Sequence, residues 1–304
     1  MKTNKTVIIV VFLIFSIMIG LILKVQYNKS KSPILFGVHD KSNTFDEVDF
    51  VDIRHGFMAW DTDPANDSVK LIEKLGERTS KIMITVEPWP EFDRSENIFQ
   101  DIVEGYYDYN ISAICKQVEL SEVPVILRWG HEVDLYKSSR YPWALNRPSE
   151  YIKAFRYWVQ TCKSLTNNAQ FVWSPAGIEG MEDFYPGDEY VDIVGLSVFA
   201  YPEYEKFEFG KMLNINDVLN SRYERAASFG KPIYLAEFGV AGEVEYKKEW
   251  LENAFNQIYF ERNFPRIAGV IYFNHGDEFG WVPEINPPDF RIQPEWIEDY
   301  VVTK

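Results

Sequence analysis

Beyond Ile34 the apolar positions fall into two alternating patterns. The first is a set of short runs rich in Val and Ile. They are Ile34–Val38, Val48–Ile53, Lys81–Val86, Val123–Trp129, Gln170–Ser174, Val191–Val198, Pro232–Glu237 and Arg266–Phe273. Runs of this length and composition read as strands buried on both faces. The second pattern repeats with the helical period. Ser68–Leu75 carries Val69, Leu71, Ile72 and Leu75 on one side, and Ser149–Leu165 carries Ile152, Phe155, Trp158, Val159 and Cys162. Asn216–Phe229 and Tyr246–Phe260 repeat the stripe, and Gly230 with Pro232 punctuates the end of the former. Ser149 reads as an N-cap. Eight buried strands alternating with helices predict an α/β fold, a single (β/α)8 barrel over residues 34–304. A doubly wound sheet is the alternative. Its phosphate-binding turn is rich in glycine, and Phe36-Gly37-Val38-His39 is not.

The segment before the barrel breaks the pattern. Val7–Leu23 is 17 residues long and interrupted only by Ser16 and Gly20. As a helix it reaches roughly 25 Å, enough for a bilayer core. Lys2 and Lys5 precede it; Lys24, Lys29 and Lys31 follow. No A-x-A cleavage site follows the run, which favours an uncleaved anchor over a cleaved signal. Residues 1–33 are therefore expected to form a membrane anchor and tether. The expectation is a single-pass protein of the cell membrane with the barrel extracytoplasmic, or a secreted one if the segment is cleaved.

Charge narrows the partners. The net charge is −15, and the first 33 residues hold five lysines and no acid. The remainder carries 26 basic against 46 acidic residues, a net of −20. Such a surface repels phosphate backbones, so no nucleic acid is expected. Aromatic residues make up 16% of the chain, with 9 Trp and 18 Tyr, which suits neutral ligands with flat apolar faces. Cys115 and Cys162 lack CxxC spacing and fall in helical segments; buried free thiols are the simpler reading, a single disulfide the alternative for an exported domain.

In a barrel the chemistry sits where strands end. The strand ends here carry His39-Asp40, Arg54-His55, Glu87-Pro88-Trp89, Arg128-Trp129-Gly130-His131-Glu132, Trp173-Ser174, Tyr201, Glu237 and Asn274-His275 with Trp281 beyond. Two carboxylates stand out. Glu132 and Glu237 each follow an almost wholly apolar strand, where a carboxylate is costly unless paired or used. Strands four and seven face each other across a barrel mouth. A pair of carboxylates there suits glycoside hydrolysis, one as nucleophile and one as acid then base. Either Glu alone reads as an ion-pair partner of Arg54 or Arg128. All four histidines, His39, His55, His131 and His275, fall near strand ends. A metal set of His39, His55 and Asp40 is conceivable, but no HExxH-type spacing supports it, and neither metal nor cofactor is expected. Trp60, Trp89, Trp143, Trp173 and Trp281 read as core residues or sugar platforms, with Trp143 and Trp281 the stronger platform candidates.

Arg128-Trp129-Gly130-His131-Glu132-Val133-Asp134, followed by Tyr141-Pro142-Trp143, resembles the acid/base segment of glycoside hydrolase family 26. Val172-Trp173-Ser174-Pro175, Tyr185–Gly195 and Ala236-Glu237-Phe238-Gly239 resemble it in order, as do Ile84–Trp89 and Tyr272-Phe273-Asn274. The resemblance spans roughly residues 35–300. It implies a retaining endo-β-glycanase of (β/α)8 fold, with a β-1,4-mannan-like polysaccharide as substrate. It implies Glu132 as acid/base, Glu237 as nucleophile, and His131 and Trp143 as contacts to the sugar beside the scissile bond. Tyr201 is expected to hydrogen-bond the nucleophile, with Tyr204 behind it. His39, Arg128, Trp89, Trp173 and Trp281 complete the expected substrate-binding set. Where the family commonly has Met-Asn-Gly after His-Glu, this chain has Val133-Asp134-Leu135, with Asp134 a further sugar ligand. β-Glucan, β-1,3-xylan or the cell's own exopolysaccharide are alternative substrates. A surface carbohydrate-binding barrel without catalysis, and a barrel metalloenzyme such as a deacetylase, are alternatives of other classes. The protein is expected to act as a monomer.

Overall fold

The structure, a computed structural model, describes residues 33–91, 97–137 and 141–302. Eight parallel strands close into a barrel in sequence order. They are β1 (Leu35–His39), β2 (Ile53–Ala59), β3 (Ile82–Glu87), β4 (Val125–Trp129), β5 (Ala169–Trp173), β6 (Ile193–Ala200), β7 (Ile233–Val240) and β8 (Ile267–Phe273). The crossovers carry α1 (Pro64–Gly76), α2 (Ile98–Val103), α3 (Asp108–Leu120), α4 (Pro148–Lys163), α5 (Pro202–Phe209), α6 (Ile215–Ala227) and α7 (Val244–Phe255). The expected barrel is therefore present. The expected membrane anchor, residues 1–33, lies outside the described residues except for Pro33. Among the described residues no helix is long and apolar enough to cross a membrane.

Two predicted boundaries are corrected. The second strand is Ile53–Ala59, not Val48–Ile53. Val48 and Phe50 pack against the outer core instead, and Asp52 turns its carboxylate back to the Phe36 amide at 2.8 Å. The true strand was disguised by Arg54, which turns outward to Asp46 and the Phe45 carbonyl, and by His55, which turns inward to Thr85. Helix α4 begins one residue before Ser149, with Pro148 in its first turn and Arg147 at the N-cap.

The alternating period of the strands sorts their side chains into two cores. Outward residues such as Trp129, Trp173, Val194 and Phe238 join the large cluster under the helices. Inward residues Ile53, Met83, Ile126, Val172, Ile193, Tyr234 and Ile271 form a separate apolar plug. Gly269 leaves room for the Tyr234 ring, since a Cβ there would stand 2.9 Å from it. The next inward positions toward the strand ends are His55, Thr85, Arg128 and Ser174. The barrel is thus an apolar floor beneath a polar layer, and that layer is the floor of the cleft.

Candidate active site

Arg128 organises the polar layer. It is fully buried on β4, and each face of its guanidinium has a partner. Nε donates to Ser174 Oγ at 2.8 Å, Nη1 to Thr85 Oγ1 at 3.4 Å and Nη2 to Ser197 Oγ at 3.5 Å. Nη1 also meets Glu237 Oε1 at 2.6 Å in an ion pair that is almost wholly enclosed. A buried arginine is tolerable only when its donors are met in this way. His55 extends the network, with Nε2 2.7 Å from Thr85 Oγ1.

Glu237 reaches Arg128 because β7 is bulged. Leu235 pairs with Leu196, but Glu237 pairs with the very next residue, Ser197, so Ala236 is the extra residue on β7. Ala236 packs into the interior plug while Glu237 binds Arg128, so two successive residues serve the barrel interior. Strict alternation would have sent one of them outward; bulges re-aim side chains in this way.

Glu132 sits beyond the end of β4. Gly130 takes a φ of 54° and Glu132 a φ of 55°, so the chain turns left-handed twice within three residues. The Glu132 amide donates to the Ser174 carbonyl at 2.8 Å, which stitches the turn to β5. Its carboxyl is pushed up to about 7 by burial first and by the negative charge of Glu237 second; a hydrogen bond from Ser197 opposes the rise. The two carboxyl groups are therefore electrostatically coupled across the mouth and unlike in partners, one on Arg128 and one largely desolvated.

Asp134, expected to meet sugar, is buried and fully spent on protein. Its Oδ1 accepts from the Ala176 amide at 2.7 Å, and Oδ2 from Gly177 and Ile178 at 2.9 and 3.0 Å. It ties the Glu132 turn to the loop after β5.

The aromatic residues divide. His131 is buried and lies 4.7 Å from the Tyr141 ring. Tyr141 stacks on Trp143 at 4.6 Å, and Trp143 donates from its indole to the His131 carbonyl at 2.8 Å. Trp89, half-buried, meets Trp143 edge-on at 5.3 Å. These form one wall beside Glu132, with Trp143 itself fully covered. Phe57, 5.9 Å from the His131 ring, links this wall to His39, which lies flat against Phe273 at 5.2 Å and edge-on to Phe57 at 4.8 Å. Burial holds His39 neutral, its pKa lowered to about 4. Trp281 is partly exposed on the loop after β8, its indole on Asp277 Oδ2 at 3.3 Å.

Two expected residues stand elsewhere. Trp173 faces outward, packed on Tyr185 and Phe229 under the helix layer, because its neighbour Val172 takes the inward position. The Tyr201 hydroxyl donates to the Asn286 carbonyl at 2.7 Å and lies 3.0 Å from Glu203, so its hydrogen bonds go to the loop after β8 and not to Glu237. Tyr201 is the residue that caps α5, one step past the strand, and its side chain is already turned away from the barrel axis. Sequence reasoning gave no role to Thr85, Ser174 and Ser197, which bond Arg128. Their signal was a hydroxyl at an inward position of an otherwise apolar strand. Among the described residues no group of three or more His, Cys, Asp or Glu is placed to hold a metal ion.

The family model described as glycosyl hydrolase family 26 matches residues 91–253, more than half of the chain. The chain belongs to glycosyl hydrolase family 26. That match includes Glu132, Glu237, His131, Tyr141 and Trp143 but not Trp89, and the barrel is a glycoside hydrolase domain. Among curated proteins the chain is 26% identical to "Endoglucanase H" of Acetivibrio thermocellus over 91% of this chain and 32% of that protein. It is 28% identical to "Beta-1,3-xylanase TXYA" of a Vibrio species over 45% of this chain and 28% of that one. A "Mannan endo-1,4-beta-mannosidase" of Bifidobacterium adolescentis is 28% identical over 45% of this chain and 15% of that protein. The chain thus spans about a third or less of the length of these relatives. Among solved structures, a GH26 β-mannanase from Bacteroides ovatus aligns with a TM-score of 0.60 at 18% identity, covering 93% of this chain and 91% of that one, a likeness of fold.

Proposed function

We propose that the barrel is a retaining endo-β-glycanase acting by double displacement. The observation that carries this reading is the unlike pair of carboxyl groups at the mouth. Glu237 is held as a carboxylate by Arg128, 2.6 Å away, while burial and that same negative charge keep the Glu132 proton in place up to about pH 7. In the first step Glu237 attacks the anomeric carbon as Glu132 gives its proton to the departing glycosidic oxygen. In the second, Glu132 takes a proton from water, and that water displaces Glu237 from the sugar. Burial of the pair strengthens each electrostatic contribution.

The proposed substrate is a β-1,4-mannan-like polysaccharide. The His131-Glu132 segment with its Tyr141 and Trp143 wall supports it, as does the relative named for mannan. β-Glucan is the second reading, favoured by the relative named "Endoglucanase H", whose likeness runs over 91% of the chain. Because all the strand ends that build the cleft come from one chain, we propose action as a monomer. Residues 1–33 are proposed to tether the barrel outside the cytoplasm, in keeping with the Cys115–Cys162 disulfide.

Reducing-sugar release by residues 32–304 from mannan, mixed-linkage β-glucan, β-1,3-xylan and bacterial exopolysaccharide tests the proposal. Release from one of these polymers that vanishes in Glu237→Ala is expected. Release that survives the substitution, or binding to a polymer without release from any, would contradict it.

A further inference from the structure

Strand β6 extends to Ala200, well past β5. The two strands meet at Ile193 and Val194, and β5 ends at Trp173. Carbonyls alternate between the two edges of a strand. Ala200 gives its carbonyl to the Ala241 amide on the β7 side, so Ser197 turns its own toward the edge that β5 leaves open. There it accepts from Nη1 of Arg222, a half-buried residue of α6 that reaches in from the helix layer. The arginine stem passes over Gly177, where a Cβ would stand 3.0 Å from Arg222 Cβ and 3.1 Å from its Cγ. The Gly177 amide is one of those held by Asp134. The Ser197 hydroxyl in turn hydrogen-bonds the Glu132 carboxyl and lies 3.5 Å from Arg128 Nη2. A closed ring of contacts thus runs from the Glu132 turn through Asp134, Gly177, Arg222 and Ser197 back to Glu132.

We propose that Arg222 is a positioning residue for the acid/base: it holds Ser197 against the Glu132 carboxyl and sets a positive charge behind it. The proposal rests on the glycanase reading of the cleft. Capping one carbonyl at a strand edge needs only a neutral donor. A guanidinium brings a charge that burial penalises, and the acids whose charge acts on it are Asp134 and Glu132. Arg225, its like-charged neighbour on α6, has Glu182 at 3.6 Å. The groups that face Glu132 are divided. Glu237 on β7 and Asp134 in its own turn oppose its ionisation, while Ser197 on β6 and Arg128 on β4 favour it. Arg128 is already paired with Glu237 at 2.6 Å. Arg222 adds a second cation on the side of Ser197 and Asp134. It supports Glu132 while that residue stands ionised, after its proton has gone to the departing oxygen and before it takes one from water.

Arg222→Gln and Arg222→Lys test this. The pH at which Glu132 ionises is followed by difference infrared spectroscopy of its protonated carboxyl, with Glu132→Gln identifying the band, so no substrate is needed. Arg222→Gln is expected to raise that midpoint by about 0.5–1 pH unit, and Arg222→Lys, which keeps the charge, to stay near the parent. A midpoint unmoved in Arg222→Gln overturns the proposal even if the melting temperature falls, because a mere cap on the edge of β6 would lower stability and leave Glu132 where it was. Equal shifts in the two variants overturn the part given to the charge. Ser197→Ala carries the test if Arg222→Gln does not fold: its midpoint is expected to rise too, and an unmoved one breaks the link from Arg222 to Glu132. On a polymer that the protein cleaves, the descending limb of the pH–rate profile is expected to move up with the midpoint, and a limb that stays in place overturns the proposal. Cleavage of no polymer counts against the glycanase reading and leaves the infrared result to stand by itself.

Discussion

Glu132 holds a left-handed backbone, which costs an L-residue about 1–2 kcal/mol, and it does so at the place where its carboxyl is desolvated. Strain and burial are both tolerated here because the turn is fixed from outside, by the Ser174 carbonyl and by Asp134. The native carboxyl keeps its proton to about pH 7, whereas the unfolded one releases it near 4.5. Between those pH values the folded state binds more protons than the unfolded state, so Glu132 makes stability fall as pH rises. Glu132→Gln is therefore expected to melt at a higher temperature than the parent at pH 8 and to gain nothing at pH 4; an equal gain at both would contradict the raised pKa. Asp134 belongs to the same scale. Asparagine offers one oxygen where two now accept three amides, so Asp134→Asn is expected to lose about 1–3 kcal/mol of stability. It also removes a negative charge that helps raise the Glu132 carboxyl, so the descending limb of the pH–rate profile is expected to move to lower pH. A melting loss with no movement of that limb would make Asp134 structural alone.

At the scale of elements, the strands were legible because their apolar runs stand out, and seven of the eight expected runs overlap the observed strands over most of their length. The second was shifted because Arg54 and His55 interrupt its apolar run. Glu132 does lie past the end of its strand, whereas Glu237, expected at a strand end, lies inside β7. The bulge at Ala236 could not be read from the sequence, because it depends on the register against β6, a non-local pairing that leaves no local mark. Nor could the fate of Trp173 and Tyr201, which turns on a single step of alternation past or within a strand. The two layers of the interior make separable predictions. A Cβ at Gly195 would stand 2.5 Å from Ser174 Oγ, the partner of Arg128, whereas one at Gly269 would press on Tyr234 in the floor. Gly195→Ala is expected to lower kcat as well as the melting temperature. Gly269→Ala is expected to cost about 1–3 kcal/mol of stability while keeping most of the activity at a permissive temperature. Equal losses of activity from the two would contradict the layering.

At the scale of the whole molecule, Cys115 on α3 and Cys162 on α4 are joined in a disulfide, with Cα atoms 5.2 Å apart, where free thiols were the simpler expectation. Two helices that pack side by side brought together residues 47 apart in sequence, which spacing alone does not reveal. Closing a loop of that length stabilises by about 4 kcal/mol in the chain-entropy account. Cys115→Ala/Cys162→Ala is expected to lower the melting temperature with the cleft still active, and an unchanged melting temperature would show that the bond carries no stability. The cleft itself is a property of the closed barrel, since Arg128 bonds to residues of four other strands or strand ends. What that assembly does to a sugar can be read at one atom. Proton NMR of the first product released from the polymer that the protein cleaves would give its anomeric configuration before mutarotation. Double displacement through Glu237 predicts the β-anomer; the α-anomer, formed by direct attack of water, would contradict it.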